Sequence, residues 1–190
     1  MSLFTLKKSG GPRDLEVSMA GLKLGSRVLQ LDGGDGELMA ALAKMVGLSG
    51  QACAVVQNQS DVEPFRKAAS NAGVLVEVEV APLTSLPYAD GFFDVAVIRD
   101  VLGQISQNAR VITLQQVRRV LRIRGRCLVI EPSMRGGLGA LFSRQALDRQ
   151  YAEGGAHSAL KAEGFRGVRV LSERDGISFT EGTKVDPAGL

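Results

Sequence analysis

Histidine and cysteine are scarce in this chain of 190 residues, which has one histidine, His157, and two cysteines, Cys53 and Cys127. That scarcity excludes a histidine-rich metal site and a Cys-Cys-His cluster at finger spacing. Both cysteines fall in apolar runs, Ala-Cys-Ala-Val-Val and Arg-Cys-Leu-Val-Ile. Such runs predict buried, reduced thiols rather than a disulfide. Long apolar stretches are missing too, so nothing reads as a bilayer span. The opening Met-Ser-Leu-Phe-Thr-Leu-Lys-Lys lacks the apolar region of a signal peptide, and a cytoplasmic protein is the expectation. Charge of one sign is equally short. The net charge is +3, too little to imply a nucleic-acid partner. Arg118, Arg119, Arg122, Arg124 and Arg126 do cluster, but most read as the C-terminal end of a helix, where cations complement the helix dipole. There is no internal repeat and no low-complexity segment.

What is present suits one globular domain over residues 1–190, with 45% apolar residues to build its core. Strand and helix patterns alternate. Arg27–Leu31 reads as a strand and Glu37–Val46 as a helix with Leu38, Leu42, Met45 and Val46 on one face. Ala52–Val56 is a second strand. The helix after it starts near Ser60 or Asp61, either able to cap it, and buries Val62, Phe65, Ala69 and Ala72. Val74–Val80 reads as a third strand, and the continuous apolar run Phe93–Ile98 as a central strand covered on both faces. A helix is expected over Val111–Arg122, then a strand over Cys127–Ile130. Ser158–Glu163 is a short helix, and Val168–Leu171 and Ile177–Thr180 form a hairpin through Arg174-Asp175-Gly176. Asp14–Leu22 forms a helix within a leading segment, 1–24. The glycine-rich stretch 134–156 is expected to be mobile, and 185–190 to fray. Strand-helix units at this spacing predict an α/β fold with a parallel sheet and right-handed crossovers.

Three segments carry a resemblance. Val28-Leu29-Gln30-Leu31-Asp32-Gly33-Gly34-Asp35-Gly36 places a glycine-rich turn between a strand and a helix, as a nucleotide-type cofactor site does. Ser85-Leu86-Pro87-Tyr88-Ala89-Asp90-Gly91-Phe92-Phe93-Asp94 runs into the fourth strand. Val117 to Pro132 reads as helix, turn, strand and Glu-Pro. In this order they resemble the class I S-adenosylmethionine-dependent methyltransferases, nearest to the small-molecule branch of the quinone-biosynthesis type. The resemblance implies a Rossmann-like, mostly parallel seven-stranded sheet with an antiparallel last strand and helices on both faces.

It also implies a cofactor, S-adenosylmethionine, held by Gln30, Asp32, Gly33, Gly34 and Gly36 in the first loop, Gln57 after the second strand, Leu83 and Thr84 in the third loop, and Arg99 after the fourth strand. The departures are specific. Gln30 stands where the family has an acid and Asp32 where it has its first glycine. The ribose-binding position after the second strand is an amide within Gln57-Asn58-Gln59. Pro82 replaces an adenine-facing acid, and Gly103-Gln104 replaces a His-His pair. An amide oxygen accepts from one hydroxyl but without charge assistance. Ile123 and Arg124 replace a Pro-Gly, leaving Gly125.

No universal catalytic residue is implied, because a sulfonium methyl is already activated and positioning can suffice. Asp100 reads as a base or, more simply, a helix cap or solvated acid. Glu131 lines the pocket mouth, and His157 is a surface or packed residue. Two functions stay open at this stage. One is a methyltransferase acting on a small, apolar acceptor through an atypical cofactor site. The other is a methyltransferase-like domain that has lost the cofactor and serves as a binding or assembly module. An NAD-dependent oxidoreductase does not fit, since Gly-x-Gly-x-x-Gly spacing is not met. Acceptor identity and oligomeric state are not encoded in any motif.

Overall fold

The protein is described here by a computed structural model covering residues 13–31, 34–133 and 149–186. Its elements, in chain order, are α1 (Asp14–Ala20), β1 (Arg27–Leu31), α2 (Glu37–Val46), β2 (Gln51–Val56), α3 (Val62–Ala72), β3 (Glu77–Val80), β4 (Phe93–Arg99), α4 (Gln107–Val120), β5 (Leu121–Pro132), α5 (Arg149–Ala162), β6 (Arg166–Arg174) and β7 (Ile177–Thr183). One seven-stranded sheet has the order β3-β2-β1-β4-β5-β7-β6. β1 to β5 run parallel, and β7 is antiparallel to both β5 and β6. This is the mostly parallel sheet with an antiparallel last strand expected from the sequence.

Strand alternation divides the core between two faces. Leu29, Leu31, Cys53, Val55, Ala96, Ile98, Cys127 and Val129 pack under α4 and α5, against Leu114, Val117, Tyr151 and Leu160. Val28, Ala54, Val56, Val95, Val97, Leu128 and Ile130 pack under α1, α2 and α3, against Ala20, Leu38, Leu42, Val62 and Phe65. The central strands are therefore covered on both faces, which is why Val95–Ile98 carried no alternation to read. Both cysteines are free and buried.

Several local expectations change. Met45 is 45% exposed, and Met39 takes its place in the buried stripe of α2. α3 has no side-chain cap. A 3₁₀ turn, Gln59–Asp61, leads into it, and Asp61 instead accepts from Asn58 and Ser60 side chains. Val74–Val76 is not strand, so β3 is only four residues long. α4 begins earlier than the apolar periodicity suggested, because Ser106 Oγ accepts from the Ala109 N–H and caps it. It also ends earlier, at Val120, so Arg122, Arg124 and Arg126 belong to β5 rather than to a helix end. The register between β4 and β5 jumps from Phe93↔Leu121 to Val95↔Arg126. Arg124 holds a left-handed φ of 65° in that bulge, donating to the Lys184 carbonyl at 2.9 Å. The helix expected over Ser158–Glu163 is the end of α5, which starts at Arg149 and kinks at Gly155. Residues 149–156 of the stretch expected to be mobile lie within α5, on both sides of its kink, and the rest of that stretch lies outside the described residues. The hairpin is as expected, with Asp175 at φ 53° and Gly176 at φ 77°, the two positive values that a tight two-residue turn requires.

Candidate functional site

In a doubly wound sheet, ligands bind at the C-terminal edge where strand order reverses, because neighbouring loops diverge there. In this chain the reversal lies between β1 and β4. The glycine turn after β1 opens into that crevice. Its two described glycines do different work. Gly36 (φ 79°) precedes α2, and a Cβ on it would lie 2.5 Å from the Phe65 Cα and 3.0 Å from the Pro64 carbonyl oxygen. It is glycine because α3 packs backbone-close against the loop. Gly34 (φ 96°) is exposed, and a Cβ there would meet only Arg99 Nη1, at 3.6 Å. Its bare backbone faces the crevice.

Charged groups from three elements converge beside this turn. Glu16 of α1 is only 3% exposed. Arg13 pairs with it at 3.1 Å and Arg99 at 3.5 Å. Arg13 also donates to both oxygens of Asp35, at 3.1 and 3.2 Å, and Asp35 accepts from the Glu37 N–H at 3.1 Å. Burial raises the Asp35 carboxyl, but the Glu37 N–H and the Arg13 guanidinium outweigh it and hold the group below its usual range. On the far side Arg99 pairs with Asp100 at 3.3 Å. Burial pushes Asp100 up against the pull of Arg99. Asp100 sits at φ 55° and does not cap α4, a role that Ser106 fills.

The sequence-derived site residues are placed as follows. Gln30 is fully buried in β1, with Ala54 and Val97 beside it in register. Its alternation puts it on the face covered by α1, α2 and α3. Asp32 and Gly33 lie outside the described residues. Gln57 is exposed immediately after β2. Pro82 to Ser85 form a turn closed by Ser85 N–H to the Pro82 carbonyl at 2.9 Å. Within it Leu83 is buried in the α4/α5-side core and Thr84 half-buried. Leu83 thus has only its backbone to offer a ligand. Arg99 ends β4 beside Gly34. Sequence reasoning missed Arg13 and Glu16, for which the only signal was two opposite charges three residues apart at a helix start.

A second polar cluster stands at the end of β5. Tyr151 donates to Glu131 Oε2 at 2.5 Å, and the Ala156 N–H donates to Oε1 at 3.2 Å. Burial pushes the Glu131 carboxyl up, with those two hydrogen bonds opposing it. The Arg110 guanidinium lies 4.5 Å from the Tyr151 ring centre, a cation–π contact, and donates to the Leu102 carbonyl at 2.9 Å. Glu131 therefore anchors the Gly155 kink of α5 as well as lining the sheet edge. His157 is half-buried on the wall of a neighbouring cavity of about 420 Å³ that also includes Glu131, Glu173, Ser178 and Thr180. Among the described residues no helix is long and apolar enough to cross a membrane.

Comparison with known proteins agrees with this fold. Residues 28–125 match the model of a methyltransferase domain family. The ubiquinone/menaquinone biosynthesis C-methyltransferase UbiE of Escherichia fergusonii is 33% identical over 117 residues, 60% of this chain and 46% of that protein. Its counterpart in Cupriavidus taiwanensis is 29% identical over 115 residues with the same coverage. The chain thus spans about half the length of the curated relatives it matches. Among solved structures, a SAM-dependent methyltransferase from Aquifex aeolicus superposes with a TM-score of 0.74 at 21% identity, covering 92% of this chain and 94% of that one. The [4+2]-cyclase SpnF superposes at 0.70 with 19% identity, covering 90% and 79%. At these identities the structural likeness speaks for the fold alone.

Proposed function

Because the chain belongs to the methyltransferase domain family, whose cofactor is S-adenosylmethionine, we propose that it transfers a methyl group to a small-molecule acceptor through an atypical cofactor site. The observation that carries this reading is the crevice at the strand-order reversal. There the bare backbone of Gly34 faces Arg99 across the gap between β1 and β4. The residues present fit the cofactor in outline. Gly34 would lie against its amino acid end, and Gln30 in the strand before it would order the turn. Gly36 would act indirectly, by seating α3. Gln57 would give one ribose hydroxyl an amide oxygen in place of the usual two carboxylate oxygens. The Leu83 backbone and the Thr84 hydroxyl would border the adenine.

When bound, the cofactor supplies a methyl group already activated on a sulfonium, so the chain's task is placement and water exclusion. The acceptor side is assigned to the end of β5 and to α5, where Glu131 and Tyr151 stand. The apolar residues Leu138, Leu141 and Phe142 in the segment before α5 suit an apolar acceptor.

The alternative, a domain that has lost the cofactor and acts as a binding module, is favoured by one observation. A guanidinium already stands within 3.6 Å of where a Gly34 Cβ would be. Calorimetric titration with S-adenosylmethionine separates the two. Binding in the micromolar range supports the enzyme, and absence of heat at millimolar cofactor supports the module.

A further inference from the structure

In a parallel sheet the loops that precede the strands share one edge, opposite the edge that holds the crevice. Among the described residues seven large apolar side chains are exposed, and five of them lie at that edge. They are Leu24 before β1, Met45 and Leu48 before β2, Leu75 before β3, and Ile123 at the start of β5. Leu24, Leu48 and Leu75 are 79%, 95% and 82% exposed. The first two stand on turns pinned by backbone hydrogen bonds, Gly25 N–H to the Val46 carbonyl at 2.9 Å and Gly50 N–H to the Gly47 carbonyl at 3.1 Å. Leu24 reaches over Gly47, whose Cβ would lie 3.0 Å from Leu24 Cδ2, and so comes beside Leu48. Leu48 and Leu75 line one cavity of about 370 Å³, with Lys44 on its wall. The neighbouring strands β3, β2 and β1 thus present a joined aliphatic strip, about 10 Å across at ordinary strand spacing. Exposed leucines scattered singly need no explanation, but a joined group of them marks a docking face.

Charge decides what this face meets. Lys23, Lys44, Arg124 and Arg166 are exposed at the same edge, Lys23 beside Leu24 and Arg124 beside Ile123. Arg166 reaches it because β6 starts in register with the end of β7, itself in register with the start of β5. The acids of the edge are engaged. Asp90 pairs with Arg119 at 2.7 Å and Asp94 with Arg122. Glu77 accepts from the Gln51 amide at 2.9 Å, and Glu163 from the Gln115 amide at 3.0 Å. Cations are therefore in excess. An aliphatic tip next to a cation suits an anionic bilayer, which offers hydrocarbon to the tip and phosphate to the cation. A protein partner is the poorer match, because protein interfaces anchor on aromatic residues and under-use leucine, and none of the five exposed side chains is aromatic.

We propose that this edge of the sheet docks on anionic phospholipid surfaces, with Leu24, Leu48 and Leu75 entering the hydrocarbon boundary and Lys23, Lys44 and Arg124 meeting headgroup phosphates. The crevice, at the opposite edge, stays open to solution in the docked chain. The inference stands independently of the methyltransferase reading.

Cosedimentation of the full chain with vesicles tests it, using equal parts phosphatidylglycerol and phosphatidylcholine against phosphatidylcholine alone. Binding to the anionic vesicles is expected to be at least roughly 10-fold tighter and to weaken as salt is raised. Leu48→Ser with Leu75→Ser is expected to weaken it by roughly 10-fold or more. Lys23→Gln with Arg124→Gln, on other loops, is expected to weaken it by roughly 10-fold. Arg66→Gln with Lys67→Gln removes the same charge from exposed positions midway along α3 and is expected to leave binding nearly unchanged. Circular dichroism checks that each pair keeps the fold. No binding to anionic vesicles, equal binding to both vesicles, or an equal loss from the α3 pair overturns the proposal. So does a leucine pair that binds like the parent. A parent that sediments as a dimer, and becomes a monomer when the two leucines are replaced, overturns it in favour of self-association.

Discussion

The Cα of Phe65 stands where a side chain on Gly36 would have to go, 2.5 Å from the position of its Cβ. The third glycine of the turn is therefore a packing residue between α2 and α3, while Gly34 two residues earlier is the one that faces the crevice. Gly36→Ala combines backbone overlap with a left-handed φ, and is expected to destabilise the fold by about 2–4 kcal/mol. Gly34→Ala meets only ordinary contact and costs about 1–2 kcal/mol for its conformation. Urea denaturation of the two variants checks the order, and a smaller loss for Gly36→Ala would refute it.

Arg124 occupies a left-handed conformation, φ 65°, that a glycine adopts without strain. Its side chain is exposed and its N–H donates to Lys184 whatever the side chain. Arg124→Gly is expected to raise stability by about 1 kcal/mol. Thermal denaturation would register it as a higher Tm, and a lower one would show that the arginine contributes more than its strain costs.

Burial raises the Glu131 carboxyl above its ordinary value of 4.5. A folded state that holds its proton more tightly than the unfolded chain is favoured by low pH. The contribution of this group is complete below about pH 4.5 and is lost as pH rises through the folded value. Glu131→Gln, which mimics the protonated form, is therefore expected to gain stability relative to the parent as pH increases across that window. Chemical denaturation of both proteins at matched pH values measures the difference. A relative loss with rising pH would mean that the Tyr151 and Ala156 hydrogen bonds outweigh burial.

Gln57 is exposed at the tip of β2, where the proposed function needs acceptors for ribose hydroxyls. Gln57→Asp replaces a neutral acceptor with a charged, two-oxygen one and is expected to tighten S-adenosylmethionine binding by roughly 10-fold. Titration of the variant against the parent tests this. Unchanged affinity would place the ribose contact elsewhere, with neighbouring Asn58 the next position to substitute.

The sequence carried the fold well wherever pattern and punctuation coincided. Gly47, Gly73 and Gly164 mark helix ends, and Asp175-Gly176 marks the hairpin turn. It carried boundaries poorly where a neighbouring strand or a cap decided them. β3 stops short because residues 74–76 do not join the β2 ladder. α4 begins at Gln107 because of a serine hydroxyl rather than an apolar stripe. β5 takes up residues that looked like a helix end because the bulge at Arg124 and the Lys184 backbone bonds extend the sheet.

The candidate site divides the same way. Gly34, Gln57 and Arg99 each sit at or just past a strand tip, a place that the alternation of strand and helix marks in the sequence. By itself the sequence determined the alternation of strands and helices and the mostly parallel sheet, since hydrophobic periodicity and right-handed crossovers leave few alternatives; the strand order, and with it the place of the crevice, came from the tertiary structure. Only the tertiary structure decided which charges meet there. Glu16 and Arg99 are 83 positions apart, as their numbers show, and no local pattern links them. They meet because α1 packs on the sheet beside α2 and against β5, and burial forces its carboxylate to find a cation.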